Sequence, residues 1–114
     1  MADSILYLDI ETTGKAKAYD QVVQVAYASE VDGELVDERC VLVRPSIPIS
    51  PEAIEVHGIT DEMVSDAPTF ADAAADLAER IEQADIIATY NGNRFDIPIL
   101  DAEFKRAGIN VEVS

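Results

Sequence analysis

The sequence predicts an α/β domain, a mixed sheet covered by helices, and three observations carry that prediction. Apolar runs of strand length stand at 4–10, 21–31, 34–44 and 85–90. Helical periodicity lies between and after them rather than before. The two valine-rich runs are joined across Asp32-Gly33, a dipeptide that favours a tight hairpin turn. Strands and helices in that order are packed as a sheet with helices against it.

Residues 4–10 (SILYLDI) suit a central strand, and 21–31 with 34–44 a hairpin beside it. Pro45, Pro48 and Pro51 then end the sheet character. Ser50-Pro51-Glu52 reads as an N-cap followed by proline at the first helical position, and Gly58 closes that short helix. Thr69 caps a second helix, supported by Asp72 three residues on. Phe70, Ala73, Ala74, Leu77 and Ile81 form its apolar stripe. Residues 85–90 (DIIATY) give another strand, and Asn91-Gly92-Asn93 turns the chain into a third helix over about 95–107, ended by Gly108. Val111-Glu112-Val113 begins a further strand. No repeat, linker or low-complexity tract interrupts this order.

At 114 residues the chain is long enough for one domain, 1–114, with a real core but little surplus. No apolar run has the length of a membrane span, and the short lead before the first strand leaves no room for a signal peptide. The expected compartment is the cytoplasm, with no membrane partner. Cys40 has no second cysteine to pair with and, flanked by Val41, Leu42 and Val43, is expected to be buried as a small apolar residue. The charge balance is unusual: 23 acidic residues against 8 basic ones, a formal net charge of −15. Most of such a surface repels a phosphate backbone. Lys15, Lys17 and Arg94 nevertheless stand close to the motifs that follow.

The run Leu8-Asp9-Ile10-Glu11-Thr12-Thr13-Gly14 places two acids at the end of the first strand. Residues two apart on a strand share a face, so Asp9 and Glu11 converge. Held together in a dry environment they repel, unless a cation lies between them. Magnesium suits the place, since it takes one or two carboxylates and retains water and substrate phosphate around it. The alternative is that both acids lie beyond the strand end, in water, beginning a loop, and for a lone D-x-E pair that is the favoured reading. In Asn91-Gly92-Asn93-Arg94-Phe95-Asp96-Ile97-Pro98, Asp96 stands at a strand-to-helix junction, where open α/β sheets bind ligands. It could equally cap the third helix. The stretch 49–60 holds the only histidine, His57, in what is otherwise a loop pinned by Val56 and Ile59.

Taken in order, these three stretches resemble the DEDD-type 3′–5′ exonucleases, the proofreading family built on an RNase H-like fold, over about Ile5 to Gly108. "LDIETTG" resembles the motif that supplies two metal-binding acids, "NGNRFDIPIL" the motif that supplies a third, and "AIEVHGIT" the loop that touches the terminal nucleotide. The resemblance implies two Mg2+ (or Mn2+) ions about 4 Å apart that hydrolyse a phosphodiester at the 3′ end of single-stranded DNA or RNA. It implies that Asp9 bridges both ions, that Glu11 holds or orients the one carrying water, and that Asp96 anchors the other. Thr12, His57 and Ile59 would seat the terminal nucleoside, with Asn93 and Phe95 lining the pocket and Arg94 touching phosphate. A polymerase or another protein partner, or self-association, is implied as well.

The pattern departs from the family after Asp96. A third motif with a fourth aspartate and a histidine or tyrosine base is not found: His57 and all four tyrosines precede Asp96. The acids that follow it, Asp101, Glu103 and Glu112, lack such a partner four residues before them. The expected fold is therefore C-terminally truncated. Three readings stay open: a shortened or partial nuclease in which Asp101, Glu103 or a second copy replaces the acid, a site completed by another polypeptide, or a catalytically impaired module that binds nucleic-acid ends or a protein.

Overall fold

The structure is a computed structural model that describes residues 3–16, 19–89 and 96–111, with Asp96 described by its backbone. Its elements are β1 (Ser4–Thr12), β2 (Val22–Val31), β3 (Glu34–Leu42), α1 (Pro51–His57), α2 (Phe70–Gln83), β4 (Ile86–Thr89) and α3 (Asp96–Arg106). The strands form one sheet in the order β3-β2-β1-β4, in which β4 runs parallel to β1 and the other pairs are antiparallel. The expected mixed α/β sheet with flanking helices is what the chain builds.

Local chemistry accounts for the boundaries. Asp32 (φ 53°) and Gly33 (φ 83°) both take positive φ, the conformation that lets a two-residue turn follow the twist of β2 and β3. Ser50 caps α1 by accepting the Ala53 N–H at 3.1 Å, and Thr69 does the same for α2 from Asp72 at 3.4 Å. Gly58 ends α1 in the left-handed region, where a side chain would be strained. The expected strand at Val111-Glu112-Val113 lies largely outside the described residues.

One face of the sheet is covered. Leu6, Leu8 and Ile10 of β1 and Val25 and Tyr27 of β2 pack against Phe70, Leu77 and Ile81 of α2 and Ile99, Leu100 and Phe104 of α3. Phe70 and Phe104 meet edge to face at 5.1 Å, which couples the two helices directly. A smaller core of Val23, Ile49, Ile59 and Val64 holds α1 and the segment after it against the end of β2. The odd-numbered residues of β1, Tyr7, Asp9 and Glu11, point to the opposite face, with Ala26, Ala28 and Cys40 beside them. That placement corrects the expectation for Cys40, which is exposed: its register partner is Ala26, and no helix among the described residues covers that side. No helix among the described residues is long and apolar enough to cross a membrane.

Candidate active site

The strand that carries the two acids is longer than its sequence pattern indicates. β1 continues to Thr12, so Asp9 and Glu11 are strand residues and not the opening of a loop. Alternation does the rest. Leu8 and Ile10 go into the core, and Asp9 and Glu11 stand together on the other face. Asp9 opens onto a cleft of about 580 Å³ over the uncovered sheet face. Glu11 opens onto one of about 750 Å³ between the end of β1, the following loop and α1.

Among the described residues neither carboxylate takes a hydrogen bond or an ion pair. Burial pushes the Glu11 carboxyl above the usual carboxylate range, and the negative charge of Asp9 pushes it further in the same direction. Two hard oxygen donors side by side, one reluctant to ionise, are a donor set that fits a divalent cation. No group of three or more histidine, cysteine, aspartate or glutamate side chains is assembled among the described residues. Asp96, the third expected acid, is the first residue of α3, and its side chain lies outside the described residues. Asn93, Arg94 and Phe95, expected in the same pocket, also lie outside them, as does Lys17.

His57 closes α1 and reaches back to β1. Its Nε2 lies 2.9 Å from the carbonyl oxygen of Thr12, and its Nδ1 accepts the Ile59 N–H at 3.0 Å. A carbonyl can only accept and an amide N–H can only donate, so both contacts together fix the neutral tautomer protonated at Nε2. The only histidine is therefore held by backbone on both nitrogens. It locks the end of α1 to the residue after Glu11 and is not placed as a free base. Ile59 is 5 % exposed and belongs to the smaller core, so its side chain serves packing and does not line the cleft beside Glu11. The Thr12 hydroxyl is engaged as well, donating to the Gly14 carbonyl at 2.6 Å.

Asp20, which sequence reasoning did not single out, organises this loop. Only 8 % exposed, it accepts from the Thr13 hydroxyl at 2.6 Å and the Ala16 N–H at 2.7 Å. Thr13 Oγ1 in turn accepts the Gln21 N–H at 3.0 Å, and the Thr13 carbonyl accepts the Ser50 N–H at 3.0 Å, tying β1, β2 and α1 together. Gly14 passes so close that a Cβ there would stand 2.6 Å from Asp20 Oδ2.

The acids offered as replacements for the missing one are otherwise occupied. Asp101 pairs with Lys105 at 3.1 Å along the surface of α3. Glu103 is buried between α3 and β2 on the covered side of the sheet, with both oxygens hydrogen-bonded.

The fold places the chain in a class first. It superposes on E. coli exonuclease I in complex with a dT13 oligonucleotide with a TM-score of 0.85, at 23 % identity, over 95 % of this chain and 25 % of that one. The architecture is thus the RNase H-like one of that enzyme. The particular family follows from the sequence match: the RNase T-type exonuclease family model spans residues 6–112, and the chain belongs to that exonuclease family. It is 34 % identical over 104 residues to the PolC-type DNA polymerase III of Bacillus subtilis (strain 168), covering 91 % of this chain and 7 % of that protein. It is 30 % identical over 112 residues to the DNA polymerase III subunit epsilon of Pasteurella multocida (strain Pm70), covering 93 % of this chain and 44 % of that protein. The chain thus spans less than half the length of either relative.

Proposed function

We propose that this chain is a metal-dependent 3′–5′ exonuclease domain that hydrolyses the terminal phosphodiester of single-stranded DNA or RNA, with Asp9, Glu11 and Asp96 as its metal-binding acids. The observation that carries the reading is the pair on β1: two carboxylates on one open strand face, neither held by a hydrogen bond or salt bridge among the described residues, in a chain of the exonuclease family. Asp9 and Glu11 would hold Mg2+ or Mn2+, two ions in all with Asp96, and the metal supplies charge neutralisation and an activated water when bound. The protein's own part is positional. The His57–Thr12 contact and the Asp20 network fix the loop that faces the nucleotide, and the 750 Å³ cleft beside Glu11 receives the terminal nucleoside. In this reading Asn93, Phe95 and Arg94 complete that pocket, as the motif implies. Ile59 serves this pocket indirectly, by packing the loop after α1 onto the smaller core. DNA ends are the favoured substrate and a polymerase the favoured partner, since the relatives named above are DNA polymerase III proteins. The cytoplasm is the corresponding location.

The test uses 5′-labelled single-stranded DNA and RNA with Mn2+, then with chelator, for the natural protein and Asp9→Ala. Laddering from the 3′ end that needs metal and falls at least ~10²-fold in the variant supports the reading. Equal cleavage by both proteins, or cleavage that survives chelation, overturns it. Metal-independent binding of ends by both without cleavage would identify the catalytically impaired module instead.

A further inference from the structure

Among the described residues Glu103 is the one glutamate in the buried interior, 5 % exposed, on a helix stripe otherwise made of Ile99, Leu100 and Phe104. An ionised side chain there is costly unless every oxygen is satisfied. Both are. Oε2 accepts the Val22 N–H at 2.9 Å, and Oε1 accepts from Arg106 Nη2 at 2.9 Å, which neutralises the charge from the half-exposed end.

What Val22 does in the sheet gives this contact its meaning. Along β1 and β2 the register is regular until Glu11, which faces Gln24. Thr12 then faces Val22, so β2 has one extra residue at this point. Such a bulge bends the strand and re-aims the side chain beside it. The side chain beside it is Glu11. The same carboxylate that receives the Val22 N–H comes from α3, whose first residue is Asp96, seven positions earlier and about 10 Å along the helix axis.

The other contacts of α3 with the sheet are apolar, through Ile99, Leu100 and Phe104. Packing of that kind is non-directional and by itself fixes the position of a helix less sharply than a hydrogen bond does. A metal site needs the sharper constraint, because its ligand distances must hold to within about 0.2 Å. A directed hydrogen bond between the helix and a backbone N–H supplies it.

We propose that Glu103 is a positioning residue: through Val22 it fixes the bulge next to Glu11 and, at the same time, the axial position of the helix that begins at Asp96. It thereby sets the spacing of acids contributed by two separate elements. The proposal rests on the metal-site reading of Asp9, Glu11 and Asp96. It assigns Glu103 no contact with metal or nucleotide.

The experiment measures Mn2+ binding by electron paramagnetic resonance of the free ion, in the full chain, at a temperature where circular dichroism shows each variant folded. Glu103→Leu fills the space but leaves the Val22 N–H without its acceptor, and should weaken Mn2+ affinity about tenfold or more. Glu103→Gln keeps an oxygen for Val22 and should stay within about threefold of the natural protein. On a labelled oligonucleotide, Glu103→Leu should lower kcat with KM little changed, as expected of a misplaced metal and not of a lost substrate contact. Should the leucine variant fail to fold, Glu103→Asp, shorter by one methylene, is measured in its place with the same expected weakening.

A folded leucine or aspartate variant that binds Mn2+ within twofold of the natural protein overturns the proposal. If Asp9→Asn meanwhile abolishes binding, the metal-site reading stands. If the natural protein and Asp9→Asn bind Mn2+ alike, or neither binds it, the metal-site reading falls and this proposal with it.

Discussion

Asp9 and Glu11 are separated by one residue, yet they meet different surroundings. Asp9 is exposed on the sheet face, whereas Glu11 is half-buried at the cleft between β1 and α1, which is why its carboxyl resists ionisation. Without metal that burial costs stability at neutral pH, since the folded state holds the Glu11 proton more tightly than the unfolded chain does. The contribution is most favourable below the ordinary glutamate range and declines as pH rises through the raised value. Glu11→Gln should therefore raise the melting temperature of the metal-free protein at pH 7 while abolishing metal-dependent cleavage, a separation visible by calorimetry beside the labelled-strand assay. A lower melting temperature would show that the charge is compensated. Gly14 poses the opposite case, a residue needed for its missing atom. Its backbone lies against Asp20, and Gly14→Ala should cost about 1–3 kcal/mol in urea unfolding, because Asp20 has no room to yield without losing Thr13 or Ala16.

Among the elements, α2 is tied to the sheet by more than its apolar stripe. Arg80 reaches Asp37 of β3, Asp76 of its own helix at 3.0 Å and the Ser29 hydroxyl at 3.1 Å, and its guanidinium lies 5.7 Å from the centre of the Tyr27 ring. Tyr27 donates to the same Asp76 carboxylate at 2.7 Å. Burial, with that hydrogen bond behind it, pushes the Tyr27 phenol up to about 12. The folded protein then keeps a proton that the unfolded chain releases near pH 10. Stability from this group is complete below pH 10 and is lost as pH rises toward 12. Tyr27→Phe should cost about 0.5–1.5 kcal/mol at pH 8 through the lost hydrogen bond. It should also show a shallower fall in urea-unfolding free energy across the alkaline window. An unchanged slope would mean that Asp76 and Arg80 do not hold the phenol.

At the scale of the molecule, a net charge of −15 acts on everything at once. Most nucleic-acid binders lose affinity steeply with salt because basic side chains release counterions. Here added monovalent salt screens repulsion between protein and phosphate backbone, so at fixed Mg2+ the KM for a single-stranded oligonucleotide should fall or stay level between 50 and 200 mM NaCl in steady-state cleavage. A rise of a hundredfold would reveal a concentrated basic track in spite of the overall balance. The same screening should raise the melting temperature of the metal-free protein.

Much of this was written in local sequence. Asp32-Gly33, Ser50-Pro51, Thr69 and Gly58 specify their turns and caps through φ preferences and hydrogen bonds within a few residues, and they stand where their chemistry puts them. The period of two in β1 placed Asp9 and Glu11 on one face, and the motifs around them carried the family. Other features depend on partners far along the chain. Cys40 looked apolar among valines, but which strand face is covered is decided by where α2 and α3 pack. Glu103 left a faint trace, a charge standing in the stripe of Ile99, Leu100 and Phe104, but its meaning needs Val22, 81 residues away. His57 was visible as the lone histidine; only its two backbone contacts fix its tautomer and its structural duty. The sequence by itself determined the elements, their caps and the two acids that share the open strand face, because those follow from short-range sterics and alternation. The tertiary structure alone decided which polar groups are buried, what satisfies them and how far apart the two acid-bearing elements are held, because burial and hydrogen-bond partners are properties of packing.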